Sequence, residues 1–275
     1  MVKTHTVSGQ LLKMTVSGTN PVTYAICTPE ATLSLTPFLG KTLSLRYSGQ
    51  INCLHCGKKT PKSYSQGHCF VCMRKLAECD LCVLRPHTCH YAKGTCREPW
   101  WGEANCMIPH IVYLANTSGV KVGLTKEKTQ HCRWADQGAT QALPLFKTRT
   151  RQLAGFVEVI IAEHIPDQTN WRLLLKGEPA QQNLKTYWEE KVYPLVEKKL
   201  NALHREHPQG IEPLAAHPIS LSYPVLEYPL IPKALSFDTT PHIEGTLQGI
   251  KGQYLLFDIG VLNVRKFLGY QIHIG

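Results

Sequence analysis

The chain has no run of about 18 consecutive apolar residues, the length a membrane-crossing helix needs. Its longest apolar stretches are interrupted by Glu158, Glu163 or a proline. The opening Met1-Val2-Lys3-Thr4-His5-Thr6 leads into polar residues and lacks the apolar centre of a secretory leader, so a cytoplasmic protein with no membrane partner is expected. No P-loop, G-x-G-x-x-G turn or nucleophile elbow occurs, which excludes the commonest nucleotide and serine-hydrolase signatures. Acidic residues are scarce in the first part of the chain. Residues 1–151 carry a net +12 and residues 152–275 a net −2. What remains is an ordinary globular composition, 43% hydrophobic and 18% charged over 275 residues, which suits one to two domains and excludes a disordered chain.

The cysteines are abundant and crowded. Nine of the eleven lie between Cys53 and Cys106, and C-x-x-C pairs begin at Cys53, Cys69 and Cys79. A tight turn carrying two cysteines aims both sulfurs at one point, which suits a metal ion better than a disulfide framework. Cys53-x2-Cys56-Gly57 and Cys69-x2-Cys72, twelve residues apart, have the layout of a zinc ribbon or treble clef. A second group, Cys79, Cys82, Cys89 and Cys96, supplies a further Zn²⁺ ligand set, with Cys106, His87 and His90 nearby as other donors. An iron–sulfur cluster uses the same four thiolates, and the spacing also allows Cys79/Cys82 to share a metal with Cys53/Cys56, but the knuckle spacing and the glycine favour tetrahedral zinc. The expected role is structural, since a site saturated by four sulfurs leaves no open position for a water nucleophile. Each such site adds −2, so two of them reduce the formal +10 to about +6. Lys58, Lys59, Lys62, Arg74 and Lys75 among the knuckles form a candidate phosphate-contacting face, and the basic half as a whole points to DNA or RNA as partner.

Four segments follow from composition and periodicity. Residues 1–50 read as short β-strands. Residues 51–108 form the Cys-rich module, too poor in other apolar residues to fold without metal. Residues 109–207 are mixed α and β: a hairpin, a short helix near 128–136, a strand near 141–147 and two longer helices. One helix carries Leu153, Phe156, Val157, Ile160 and Ile161 on a single face, and the other spans roughly 183–206 with Pro194 expected to kink it. Residues 208–275 comprise a connector with seven prolines, expected to lie on the surface, and a closing β segment that pairs with residues 1–50 to make one discontinuous domain. In that segment Asn263 and Arg265 are read as solvent-facing. The fold class expected is α/β in the broad, α+β sense.

In the hairpin, Ile111-Val112-Tyr113 and Lys121-Val122-Gly123 flank Asn116-Thr117-Ser118-Gly119. A turn over Asn116–Gly119 pairs Ala115 with Val120 and sets Tyr113 opposite Val122. Arg133 follows ten residues after Gly123, Glu158 lies in an apolar helix, and Asn170 comes twelve residues after Glu158. This ordered set resembles the GIY-YIG nuclease superfamily over residues 110–171. It departs from the family at Val122, taken as the position of the second motif's tyrosine. The whole chain also resembles an uncharacterised bacterial Cys-rich family, a likeness that supplies no activity. The nuclease resemblance implies a catalytic set of Tyr113, Lys121, Arg133, Glu158 and Asn170. Glu158 would hold a catalytic Mg²⁺, Tyr113 or else Lys121 would activate water, Arg133 would stabilise charge, and His131 would assist. Two function classes are expected: a divalent-metal-dependent endonuclease, or a non-catalytic DNA- or RNA-binding adaptor on the same surface. A protein-interaction module is a third.

Overall fold

The computed structural model describes residues 6–275, so Met1–His5 of the opening segment lie outside the described residues. Strands β1 (Val7–Gln10), β2 (Thr15–Ser17), β3 (Thr23–Cys27), β4 (Thr32–Ser34) and β5 (Thr42–Ile51) come first. The Cys-rich segment holds only short helices, including α1 (Phe70–Lys75), α2 (Leu81–Leu84) and α3 (Pro99–Asn105). Then follow β6 (His110–Asn116), β7 (Val120–Lys126), α4 (Gln130–Asp136), β8 (Gln141–Thr148), α5 (Arg151–Ala162) and α6 (Trp171–Leu174). A long helical stretch runs as α at Leu184–Thr186, π at Tyr187–Val192 and α again at Tyr193–Glu206. The chain closes with β9 (Ile211–Pro213), β10 (Ile219–Ser220), β11 (Ala234–Leu235), β12 (His242–Lys251), β13 (Tyr254–Phe257), β14 (Gly260–Asn263) and β15 (Tyr270–Ile274). The class is mixed α+β, with no helix among the described residues long and apolar enough to cross a membrane.

Three sheets organise these strands. The largest has the order β1-β15-β5-β12-β13-β14-β11, so β5 from the start of the chain lies between β15 and β12 from its end. Strands β10-β8-β6-β7, with β9 also on β8, form the second, and β2-β3-β4 the third. The β6–β7 hairpin is buried on both faces. Ile111, Tyr113 and Ala115 join the core of the largest sheet, alongside Leu43, Leu45, Phe267 and Ile272. Val112, Leu114, Val122 and Leu124 pack under α5 against Val157 and Ile161, in a second core that also takes Val196 and Leu200 of the long helix. Burial of one side chain of this size is worth ~1.5–3 kcal/mol, so both cores hold the hairpin firmly.

Two expectations are corrected. First, the hairpin register is shifted by one residue: Asn116 pairs with Val120, Ala115 with Lys121 and Tyr113 with Gly123. The loop is the three residues Thr117–Gly119, with the Thr117 amide donating to the Gly119 carbonyl (3.1 Å) and Gly119 at φ +131°. A one-residue shift exchanges faces, so Lys121, and not Val122, shares Tyr113's face. Second, the Pro-rich connector does not stay on the surface. Leu221, Tyr223 and Phe237 are buried in the large core, and the Tyr223 hydroxyl donates to the Ala139 carbonyl (2.7 Å). At Pro194, where a kink is expected, the π stretch ends just before the proline and the α-helix restarts with the ring in its first turn, where a missing N–H costs little.

Candidate functional site

The first four cysteines converge. Cys53 follows β5, and Gly57 at φ +71° lets its amide return to the Cys53 carbonyl (2.9 Å), closing one knuckle. Cys69 caps α1, so that Cys72 sits one turn along it. The sulfurs of Cys53, Cys56, Cys69 and Cys72 all lie within 4.8 Å of one another, and Cys56 and Cys69 are 3.9 Å apart. Zinc with four Zn–S bonds of ~2.3 Å has an S–S edge of ~3.8 Å, so these thiols are placed to hold a metal ion such as zinc. Burial opposes ionisation of Cys53, but backbone N–H groups at Cys56, Cys69 and His55 reverse that effect and bring its thiol down to about 6. Burial and the adjoining thiols push Cys72 up. A cation at the centre would resolve both, since thiolates are the ligands.

The second cysteine group divides. Cys79 packs with the first site, against Cys53, Cys72 and Leu76. Cys82, Cys89 and Cys96 line another cavity, and its remaining thiol comes from Cys106 at the end of α3. His90 also lines this cavity. His87 instead packs its backbone against Gly155 of α5, where an added Cβ would lie 2.4 Å from the His87 nitrogen.

The residues singled out for catalysis lie largely together. Glu158, on α5, is half-buried; burial first and Asp167 second raise its carboxyl to about 7, against the pull of Lys121, Arg151 and Arg133. Lys121 is buried and donates to the Asp167 carbonyl (3.2 Å); burial and then Arg133 bring its ammonium down to about 8. Tyr113 is fully buried, donates to Gln137 Oε1 (2.8 Å) and packs edge-on against Trp134 of α4 at 5.8 Å between ring centroids. Burial pushes its phenol up to about 12, with Arg133 pulling the other way. Gly123 makes the ring's position possible, because an added Cβ there would lie 2.9 Å from the phenol oxygen. Arg133 sits mid-way along α4 and is half-buried.

Asn170 is used as a helix cap. Its side chain accepts from the amides of Arg172 (3.1 Å) and Leu173 (3.3 Å) as the N-cap of α6, and its own amide meets Ser118 of the hairpin loop. His131 is exposed and packs on Trp134. Lys58, Lys59, Lys62, Arg74 and Lys75 are all exposed on the Cys-rich module, with Lys62 over the Tyr64 ring (4.8 Å) and Arg74 over Phe70 (5.9 Å).

Several contributors were invisible in the sequence. Asp167 adds a second carboxylate beside Glu158; it follows α5 in an exposed loop, a position with no motif around it. Arg151 opens α5, is held by the Val83 carbonyl (2.6 Å), and its Nε has no protein partner. Arg265, read as solvent-facing, is half-buried near Arg133 and donates twice to Gln66 Oε1, at 3.0 and 2.7 Å. Lys121, Arg151 and Arg133 all pull on the Glu158 carboxyl, and Arg151 also joins α5 to the Cys-rich module through the Val83 carbonyl.

Comparison with known proteins gives one family. The model described as "Protein of unknown function (DUF2797)" matches residues 40–272. No curated protein matches, and no solved structure matches.

Proposed function

Since the chain belongs to the DUF2797 family, whose description assigns no activity, we propose from the site itself that it is a zinc-stabilised nucleic-acid-binding protein that hydrolyses phosphodiester bonds. The single observation that carries this reading is Glu158, a carboxylate half-buried among Lys121, Arg133 and Arg151 with Asp167 beside it. Oxygen donors next to several fixed cations suit a polyanionic substrate together with a hard cation. The resemblance of the Tyr113, Lys121, Arg133 and Glu158 order to GIY-YIG nucleases supports the same reading.

Each residue has a role in it. Glu158, with Asp167 near, would hold a divalent ion such as Mg²⁺, which when bound supplies Lewis-acid stabilisation of phosphoryl charge. Arg133 offers a planar fork to the non-bridging oxygens, where charge is greatest in the transition state. Lys121 takes the proton from the attacking water. Its ammonium, brought down to about 8, is far nearer to neutral pH than the Tyr113 phenol at about 12, and a general base works best when so matched. Tyr113, anchored on Gln137, then orients Arg133. Lys58, Lys59, Lys62, Arg74 and Lys75 bind the phosphate backbone, and exposed Phe70 beside Tyr64 offers a stacking surface for bases.

A binding-only adaptor is the second reading, favoured by the complete burial of Tyr113 and by the use of Asn170 as a helix cap. Incubating plasmid, branched DNA and structured RNA with and without Mg²⁺ separates the two. Wild type should cut at least one substrate. Glu158→Gln and Arg133→Ala should each lose ~10²-fold or more in turnover while retaining binding within a few-fold. A wild-type protein that binds but never cuts in Mg²⁺ or Mn²⁺, with Glu158→Gln binding equally well, refutes the hydrolase and leaves the adaptor.

A further inference from the structure

Beside the second cysteine group stand donors that are not sulfur. One ligand atom from each of Asp80, Cys82 and His90 lies within 4.8 Å of the other two. The carboxylate is fixed. Asp80 Oδ2 pairs with Arg97 (2.6 Å), which is itself held by the Met73 (3.1 Å) and Leu76 (3.2 Å) carbonyls. Asp80 Oδ1 accepts from the Cys82 amide (3.1 Å) and stands 3.6 Å from His90 Nε2.

That last separation is too long for an N–H···O bond, which spans ~2.7–3.2 Å, so no proton is shared there. The far side of the imidazole agrees. Thr95 Oγ1 donates to the His90 carbonyl (3.3 Å), which uses its only proton, so it accepts in its 2.8 Å contact with Nδ1. A neutral ring therefore carries its hydrogen on Nδ1 and turns the Nε2 lone pair towards a carboxylate oxygen, with a thiol beside both. Donors that face one another in this way are stabilised by a cation between them. Tetrahedral zinc, with Zn–N and Zn–O bonds of ~2.1 Å, sets nitrogen and oxygen ~3.4 Å apart. A partner on the other ring nitrogen is also what orients metal-bound imidazoles.

From this we infer a second metal site, for a single zinc ion, formed by Asp80, Cys82 and His90, with the fourth ligand drawn from Cys89, Cys96 or Cys106 on the wall of the same cavity. The cavity measures about 10 Å³, room for one ion and not for a cluster. Mixed oxygen, nitrogen and sulfur donors suit zinc, which is borderline in softness. Cys79 is not a ligand, because it packs with the first site. Cys82 and His90 lie on either side of the Pro86–His87 turn in the chain, so the ion closes a loop around the turn that packs on Gly155 of α5.

The inference does not rest on phosphodiester hydrolysis, and its test reads metal content, not cleavage. The full chain is purified from zinc-supplemented cells, desalted, and assayed for zinc, iron and acid-labile sulfide. Wild type should carry about two zinc ions per chain. Cys82→Ser and His90→Ala should each lower that to about one, and Asp80→Asn should yield the second ion ~10-fold or more readily to a competing chelator. Cys79→Ser should keep both ions. An unchanged far-ultraviolet spectrum shows that a variant has folded. Should both ligand variants unfold, wild type loaded with cobalt(II) decides through its thiolate-to-metal absorption. Four sulfurs at the first site and two at the second give about six cobalt–sulfur bonds per chain, whereas about eight would put four thiols around the second ion and overturn the donor set. A single zinc per chain at saturating zinc would overturn the inference, as would iron with sulfide in place of the second zinc. So would a second zinc that survives in both Cys82→Ser and His90→Ala, or one that is lost from Cys79→Ser instead.

Discussion

Replacing Gly155 by alanine sets two effects of opposite sign against each other. Gly155 lies inside α5, where alanine is preferred to glycine by ~1 kcal/mol, so helix propensity alone predicts stabilisation. Contact predicts the reverse. The new Cβ would sit 2.4 Å from the His87 backbone nitrogen and 2.8 Å from both the carbonyl carbon and the Cβ of Pro86. Ordinary carbon contacts lie at ~3.5–4.0 Å, so the Pro86–His87 turn must retreat by ~1 Å. That turn is tied to α5 on both sides, before it by Arg151 Nη2 donating to the Val83 carbonyl (2.6 Å) and after it by the Cys89 carbonyl. The Cys89 carbonyl accepts from Gln152 Nε2 (2.8 Å). Over-packing against backbone costs ~1–3 kcal/mol, occasionally more, and a turn tied so closely belongs at the upper end. The net expectation is a loss of ~1–2 kcal/mol, or ~2–6 °C in Tm for a chain of this size. Thermal and urea melts of the metal-loaded protein measure it. Gly177→Ala, where nothing lies within 4 Å, serves as the control and should be near neutral. A Gly155→Ala protein that is as stable as wild type or more so would show that α5 does not bear on the Cys-rich module, and the reasoning fails.

Two further outcomes are expected. Burial raises the Glu158 carboxyl above its unfolded value, so the folded chain binds that proton more tightly and ionisation costs stability as pH rises from about 4.5 through about 7. Glu158→Gln, measured without added divalent cation, should therefore match wild type near pH 4 and gain on the order of 1–3 kcal/mol above pH 7; an advantage that shrinks as pH rises contradicts the burial account. Reversing Lys58, Lys59 and Lys62 to glutamate should weaken DNA or RNA binding almost equally across sequences and lower the slope of log affinity on log salt by ~2–3, and an unchanged slope would remove these lysines from the interface.

What could be read from the sequence depended on whether a pattern was local. The first cysteine set was legible because both pairs are knuckles with fixed spacing, and four sulfurs converge as that spacing requires. The second was legible only in part. Cys106 belongs to it through the end of α3, whereas the Cys79-x2-Cys82 pairing in the sequence pointed to Cys79. The hairpin was visible, but its register was not. Every residue of His110–Asn116 is buried, so there is no polar–apolar alternation to say which face is which. Prolines marked residues 208–241 as irregular, which they largely are, yet irregularity says nothing of depth, and Tyr223 and Phe237 are core residues. Glu158, Lys121 and Arg133 were found in order along the chain. Asp167, Arg151 and Arg265 had no such signal, because only tertiary packing brings them near.

The placement of β5 has a consequence for synthesis. Its last residue, Ile51, pairs with Tyr270 and lies two positions before Cys53, so the strand that presents the first metal ligand has its neighbours β15 and β12 more than 190 residues further along the chain. As the chain leaves the ribosome, all nine clustered thiols emerge long before those strands exist. Non-local strand pairing is slow because a long loop must close first, whereas metal capture by a knuckle is local. Metal capture by these knuckles would therefore precede closure of the sheet. A cell short of metal would be left with nascent chains whose reduced cysteines stay open to oxidation throughout that interval, and the damage would be done before the protein had a fold to lose.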